Sequence, residues 1–149
     1  MSQKQMQQRP PATDSNRDER QGGAVKTYPP AQVLIVDDEV VVRRVVSDYL
    51  EGMGYVVATA DSGEAASEYV RENRPPVVLL DIFMPGMNGL DILRSLKRER
   101  PRTRVLVISG FADEELERKV KGLGAAECLR KPFDFARLSE LVATGVGAD

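Results

Sequence analysis

From Gln32 onward, short apolar runs alternate with stretches whose apolar residues recur at helical spacing. Residues 33–36 (VLIV), 55–59 (YVVAT), 77–80 (VVLL), 104–108 (RVLVI) and 127–129 read as strands. Between them the spacing predicts helices. The first covers 40–53, with Val42, Val45, Val46, Tyr49, Leu50 and Met53 on one side; Gly52 and Gly54 stop it. The second runs from a Ser62 cap to about 72, with Ala65, Ala66, Tyr69 and Val70 inward, and Pro75–Pro76 end it. A turn cluster (PGMNG, 85–89) leads into a third helix over 90–98, in which Leu90, Ile92, Leu93 and Leu96 are apolar. A weaker fourth covers 113–123 through Leu116, Val120 and Leu123, and a last one covers 134–144 through Leu138, Leu141 and Val142.

Five strand-then-helix units imply an α/β fold, a doubly wound parallel sheet with helices on both faces. The apolar runs do not alternate with polar residues, as expected of strands buried on both sides. A sheet of this kind places its site at the carboxyl ends of the strands.

Those ends are polar. The first strand runs into Asp37, Asp38 and Glu39, the third into Asp81, the fourth into Ser109 and the fifth into Lys131-Pro132. Carboxylates some 5 Å apart repel by about 3 kcal/mol per pair at an effective dielectric near 20. Such a cluster asks for a cation, and hard oxygen ligands favour Mg²⁺. A carboxylate nucleophile, a divalent cation, a lysine and a hydroxyl are the parts of a phosphoryl-transfer site. Singly, each residue has a plainer role. Asp37 or Asp38 is a candidate helix cap, Ser109 a turn residue and Lys131 a solvated lysine. Their arrival together at successive strand ends favours the functional reading.

Composition narrows the chemistry. The chain has 149 residues, enough for one domain, and a net charge of -2, which gives no general case for nucleic-acid binding. Histidine is absent, so His-based acid–base chemistry and phosphohistidine on this chain are excluded. The single cysteine, Cys128, forms no internal disulfide and is expected to be a small core residue rather than a redox sensor. Residues 1–30 are poor in large apolar groups and carry five basic and three acidic residues; they are expected to form a disordered tail ahead of a globular unit at 31–146. They show no apolar signal segment, and no run is long enough for a membrane span, so a cytoplasmic location without membrane insertion is expected.

VLIVDDE after strand one, LLDIFMPGMNG around the end of strand three, VISG at strand four and LRKPF at strand five together resemble the receiver domain of two-component response regulators, of the single-domain, chemotaxis-regulator-like kind. The resemblance covers about 32–146 and implies a (βα)5 flavodoxin-like fold with strand order 2-1-3-4-5. It implies that Asp81 accepts a phosphoryl group from a histidine kinase or histidine phosphotransfer protein. Asp38, Asp81 and the Phe83 backbone carbonyl would ligate Mg²⁺, with Asp37 assisting through water. Ser109 would be the switch hydroxyl, Lys131 would pair with the phosphoryl oxygens, and the Lys131–Pro132 bond would be cis. The expected output is a changed surface of helix four, strand five and helix five. That surface would be read by an unidentified partner, with the chain a monomer or a phosphorylation-dependent dimer; alternatively the phosphoryl group would be relayed onward. No output domain is expected after the last helix, and no enzyme activity beyond assistance to its own phosphorylation and dephosphorylation. The competing readings are a docking module that is never phosphorylated and a Mg²⁺-dependent phosphatase. The pattern departs from many receivers at Cys128, where an aromatic ring is common; Phe111 is a candidate substitute. Phe83 and Phe111 flank the site and are expected to prolong the life of the aspartyl phosphate.

Overall fold

The computed structural model describes residues 30–147. The tail expected over 1–30 lies outside the described residues, apart from the exposed Pro30. Ten elements alternate along the chain: β1 (Val33–Val36), α1 (Val40–Gly52), β2 (Val57–Ala60), α2 (Gly63–Asn73), β3 (Val77–Asp81), α3 (Gly89–Glu99), β4 (Arg104–Ser109), α4 (Glu114–Gly122), β5 (Glu127–Arg130) and α5 (Phe135–Gly147).

All five strands are parallel, in the order β2-β1-β3-β4-β5. Val36 pairs with Leu80 across β1 and β3, Asp81 with Ile108 across β3 and β4, and Ser109 with Arg130 across β4 and β5. The order reverses beside β1, so the crevice between the ends of β1 and β3 is the switch point where an open α/β sheet binds its ligand. Asp37 follows one of those strands and Asp81 ends the other.

Side chains alternate between two cores. Leu34, Val36, Val78, Leu80, Val105 and Val107 pack against α2, α3 and α4. Val33, Ile35, Val77, Leu79, Leu106 and Ile108 pack against α1 and α5. Because both faces are covered, every one of these strand residues is apolar, and period-two alternation never appears in the sequence.

Ser62 caps its helix as expected, and Asp113 and Asn88 cap two others. Ser62 Oγ accepts from Ala65 N at 3.2 Å, and Asp113 Oδ1 accepts from Leu116 N at 2.8 Å. Asn88 Oδ1 takes the amides of Leu90 and Asp91. Helix α2 closes on Arg74 in the left-handed region, at φ 51°, just ahead of Pro75.

Three expectations need correction. Val45 and Met53 do not join the core side of α1 but stand 46% and 52% exposed. Val45 lies about 100° around the helix from Val46, and Met53 is already the C-cap. The second strand starts at Val57, two residues later than the apolar run, since Tyr55 and Val56 bring the chain back from α1 to the sheet. The last helix runs to Gly147 rather than 144. Gly145 is a packing residue there: a Cβ would lie 2.5 Å from Val77 Cγ2 and 2.8 Å from Arg104 Cδ.

Candidate functional site

The ends of β1, β3 and β5 bring four of the expected residues together. Carboxylate oxygens of Asp37, Asp38 and Asp81 lie within 4.8 Å of one another. Lys131 Nζ sits among them, 2.9 Å from Asp37 Oδ2 and 3.1 Å from Asp81 Oδ2. It also donates to Glu39 Oε1 at 2.9 Å. Neither Asp37 nor Asp38 is the N-cap of α1; that place falls to Glu39, whose side chain makes no cap bond. The plainer roles for Asp37, Asp38 and Lys131 therefore do not hold.

The backbone shapes the cluster. Asp81 Oδ1 accepts from Phe83 N at 3.0 Å and Asp37 Oδ1 from Glu39 N at 2.9 Å, so each carboxylate is aimed by the turn that follows it. Arg43 Nη1 donates to Asp37 O at 2.6 Å and ties α1 to the end of β1. The peptide bond between Lys131 and Pro132 is cis.

One ammonium faces several anions, and the titration tendencies reflect that. Burial pushes the Asp81 carboxyl above its usual range; the Phe83 amide and Lys131 pull it down, while Asp37 pushes it up. Burial works to lower the Lys131 ammonium, but its contacts with Glu39, Asp37 and Asp81 together outweigh that and hold it well above ordinary lysine. The two tendencies agree physically: Lys131 sees three carboxylates, whereas Asp81 sees a shared cation and a buried anion.

Asp37 is fully buried, and its Oδ2 meets Lys131 as an ion pair while accepting no aligned hydrogen bond. A buried carboxylate oxygen left in this state has coordination to spare. Three oxygen donors, one of them under-satisfied, with no nitrogen or sulfur among them, fit a hard divalent cation such as Mg²⁺.

Ser109 is fully buried at the end of β4, one strand from Asp81, and its Oγ accepts from Phe111 N at 2.9 Å rather than bonding Asp81. Phe83 and Phe111 point outward, 53% and 76% exposed, with their rings in edge contact at 5.7 Å. Phe111 therefore does not supply an inward ring in place of the one missing at Cys128. Cys128 packs half-buried against the α2–α3–α4 core. Burial, chiefly, raises its thiol pKa, with Glu117 adding to the effect, which disfavours the reactive thiolate.

Two residues gain a part that the sequence did not assign. Glu39 shares Lys131; the only signal was a third acid directly after the Asp pair. Arg130 Nη2 donates to Ala112 O at 2.7 Å, a contact 18 residues apart in the chain with no sequence signal at all.

The family profile of the response regulator receiver domain matches residues 33–143. The chain belongs to the response regulator receiver family. Sporulation initiation phosphotransferase F of Bacillus subtilis is 32% identical over 111 residues, covering 74% of this chain and 90% of its own length. The chemotaxis protein CheY of Thermotoga maritima is 34% identical over 110 residues, covering 73% and 92%. The match to a probable transcriptional regulatory protein, TcrX, of Mycobacterium tuberculosis is 40% identical over 108 residues but spans only 45% of that longer protein. Among solved structures, the receiver domain of NtrX from Brucella abortus superposes with a TM-score of 0.73 at 30% identity, over 78% of this chain and 99% of that one. This receiver is thus a two-component signalling module of the kind that meets histidine kinases or phosphotransfer proteins on one side and downstream targets on the other. No helix among the described residues is long and apolar enough to cross a membrane.

Proposed function

We propose that this receiver is a phosphorylation switch in which Asp81 takes a phosphoryl group from a phosphohistidine on a partner kinase or phosphotransfer protein. An Asp81 carboxylate oxygen attacks phosphorus, the P–N bond breaks, and the imidazole leaves on the donor. These 149 residues contain no histidine, so the donor imidazole lies outside them. The observation that carries the reading is the position of Lys131, 3.1 Å from Asp81 Oδ2 and held by two further acids. A cation held there would meet the oxygens of an incoming phosphoryl group.

Asp38, Asp81 and the Phe83 backbone carbonyl would hold Mg²⁺, with Asp37 assisting through water. When bound, the ion supplies the positive charge that lets a carboxylate approach an anionic phosphoryl group. Phe83 N already fixes Asp81 Oδ1, so the nucleophile is oriented before the donor docks. Ser109 is the switch hydroxyl. Its oxygen now accepts from a backbone amide, and a phosphoryl oxygen would give its O–H a charged acceptor. The shift would reset the surface of α4, β5 and α5, which a cytoplasmic target reads, as a monomer or in a phosphorylation-dependent dimer; alternatively the group passes onward. The chemistry is confined to the receiver's own phosphorylation and its reversal.

Acetyl phosphate with Mg²⁺ tests this. Phosphate-affinity electrophoresis is expected to show a retarded band for the native chain and none for Asp81→Asn or for native protein in EDTA. No retarded band from either acetyl phosphate or a phosphohistidine donor would overturn the reading and leave a docking module.

A further inference from the structure

The contact between Arg130 and the β4–α4 loop has no part in the chemistry above. Cys128 is paired with Val107 and Arg130 with Ser109 on neighbouring parallel strands. Paired residues point to the same face, and Val107 and Cys128 both pack on the α2–α3–α4 side. Two residues further on, Ser109 and Arg130 share that face.

Both hold the loop of residues 110–113. Ser109 Oγ takes Phe111 N at 2.9 Å, and Arg130 Nη2 donates to Ala112 O at 2.7 Å. Directly after Ala112 comes Asp113, whose side chain caps α4 through Leu116 N. The loop is therefore fastened to β4 through one side chain and to β5 through the other, and its far end is the first turn of α4. Cys128, the other β5 residue on this face, is too short to reach across.

We propose that Arg130 is a positioning residue that clamps Ala112 in the resting arrangement and so couples Ser109 to helix α4. The inference rests on the proposed role of Ser109. When that hydroxyl turns to a phosphoryl oxygen on Asp81 it gives up Phe111 N. The Arg130–Ala112 bond is then the side-chain tie that still opposes displacement of the loop. A bond made in only one of two arrangements biases the equilibrium against the other. By linkage, its removal tightens binding of whatever favours the shifted loop.

The test uses the full chain, ¹⁵N-labelled, titrated with beryllium fluoride and Mg²⁺ as a stable phosphoryl mimic, with the amides of residues 110–113 followed by NMR. For Arg130→Ala, half-saturation is expected at about three- to tenfold lower beryllium fluoride, the worth of one hydrogen bond at an exposed position. Its unliganded amides should already lie part-way toward the bound positions. Arg130→Lys keeps a donor and is expected to return both toward native values. Native half-saturation with native amide positions in Arg130→Ala overturns the inference, as does weaker binding. A native chain that does not respond to the mimic overturns the acceptor reading, and the inference falls with it; a responsive native chain with an indifferent Arg130→Ala sinks the inference alone.

Discussion

Phe83 and Phe111 meet edge to face, centroids 5.7 Å apart and planes at 89°, although one follows β3 and the other β4. Two large apolar side chains exposed on the surface invite explanation, and here they stand beside the two strand ends that carry Asp81 and Ser109. With Asp81 as the proposed phosphoryl acceptor, rings in this position would restrict water near the aspartyl phosphate. Phe83→Asn and Phe111→Ala are each expected to speed loss of the phosphoryl group in Mg²⁺ buffer by about three- to tenfold. Decay followed after removal of acetyl phosphate measures this; native decay within seconds, or variants that match it, would refute the shield.

Burial of the Asp81 carboxylate carries a cost that the Phe83 amide and Lys131 only partly offset. The folded-state pKa of Asp81 lies above its unfolded value, mainly through burial. A carboxyl shifted that way stabilises below its unfolded pKa, and the stability is lost as pH rises through the folded value, so at neutral pH ionised Asp81 is a net cost. Asp81→Asn is expected to raise stability in EDTA by about 1 kcal/mol, roughly 4 °C in Tm. Lys131→Ala should cost about 2 kcal/mol, because the fully buried Asp37 loses its cation. Thermal melts of the three proteins give both numbers, and Mg²⁺ should restore part of the Lys131→Ala loss.

Tyr69 makes a prediction at the opposite end of the pH scale. Its buried hydroxyl oxygen accepts from Ala31 N at 2.9 Å, joining α2 to the start of the sheet. Burial raises its pKa, and the Ala31 amide lowers it in part. For a raised pKa the contribution is present below about pH 10 and is lost as pH climbs through the folded value. Urea unfolding between pH 8 and pH 11 should show a falling limb above 10 that is shallower in Tyr69→Phe. At pH 8 that variant should be about 1–2 kcal/mol weaker, since the Ala31 amide is left buried without an acceptor.

Two glycines in the last helix should respond oppositely. Gly145→Ala drives a methyl into Val77 and Arg104 and is expected to cost about 1–3 kcal/mol. Gly147 has nothing within 4 Å of the added atom, so Gly147→Ala should be neutral or stabilise by up to about 1 kcal/mol through helix propensity. Equal melting temperatures for the two variants would contradict the packing role of Gly145.

Much of the fold was legible from local pattern. Strands buried on both faces must be apolar throughout, so β1, β3 and β4 stand out as uninterrupted runs, and Ser62 marks a helix start because its side chain satisfies a free amide. The errors fall where tertiary contact overrides that pattern. Helical spacing alone could not tell that Val45 faces solvent, and it ended the last helix at 144, short of Gly145, which packs against Val77 and Arg104.

The site divides the same way. The acids after β1 and β3, Ser109 and Lys131 could be named from sequence, because a parallel sheet with polar strand ends has one edge on which to gather them. Their types suggested the phosphoryl chemistry proposed for Asp81. Only the folded chain decided that Lys131 is shared with Glu39, that Ser109 is turned to Phe111 N, that Phe83 meets Phe111 and that Arg130 holds Ala112. These contacts join residues that no periodicity links. Sequence specifies which groups arrive at the sheet edge; side-chain reach and direction, set by packing, choose which of them touch.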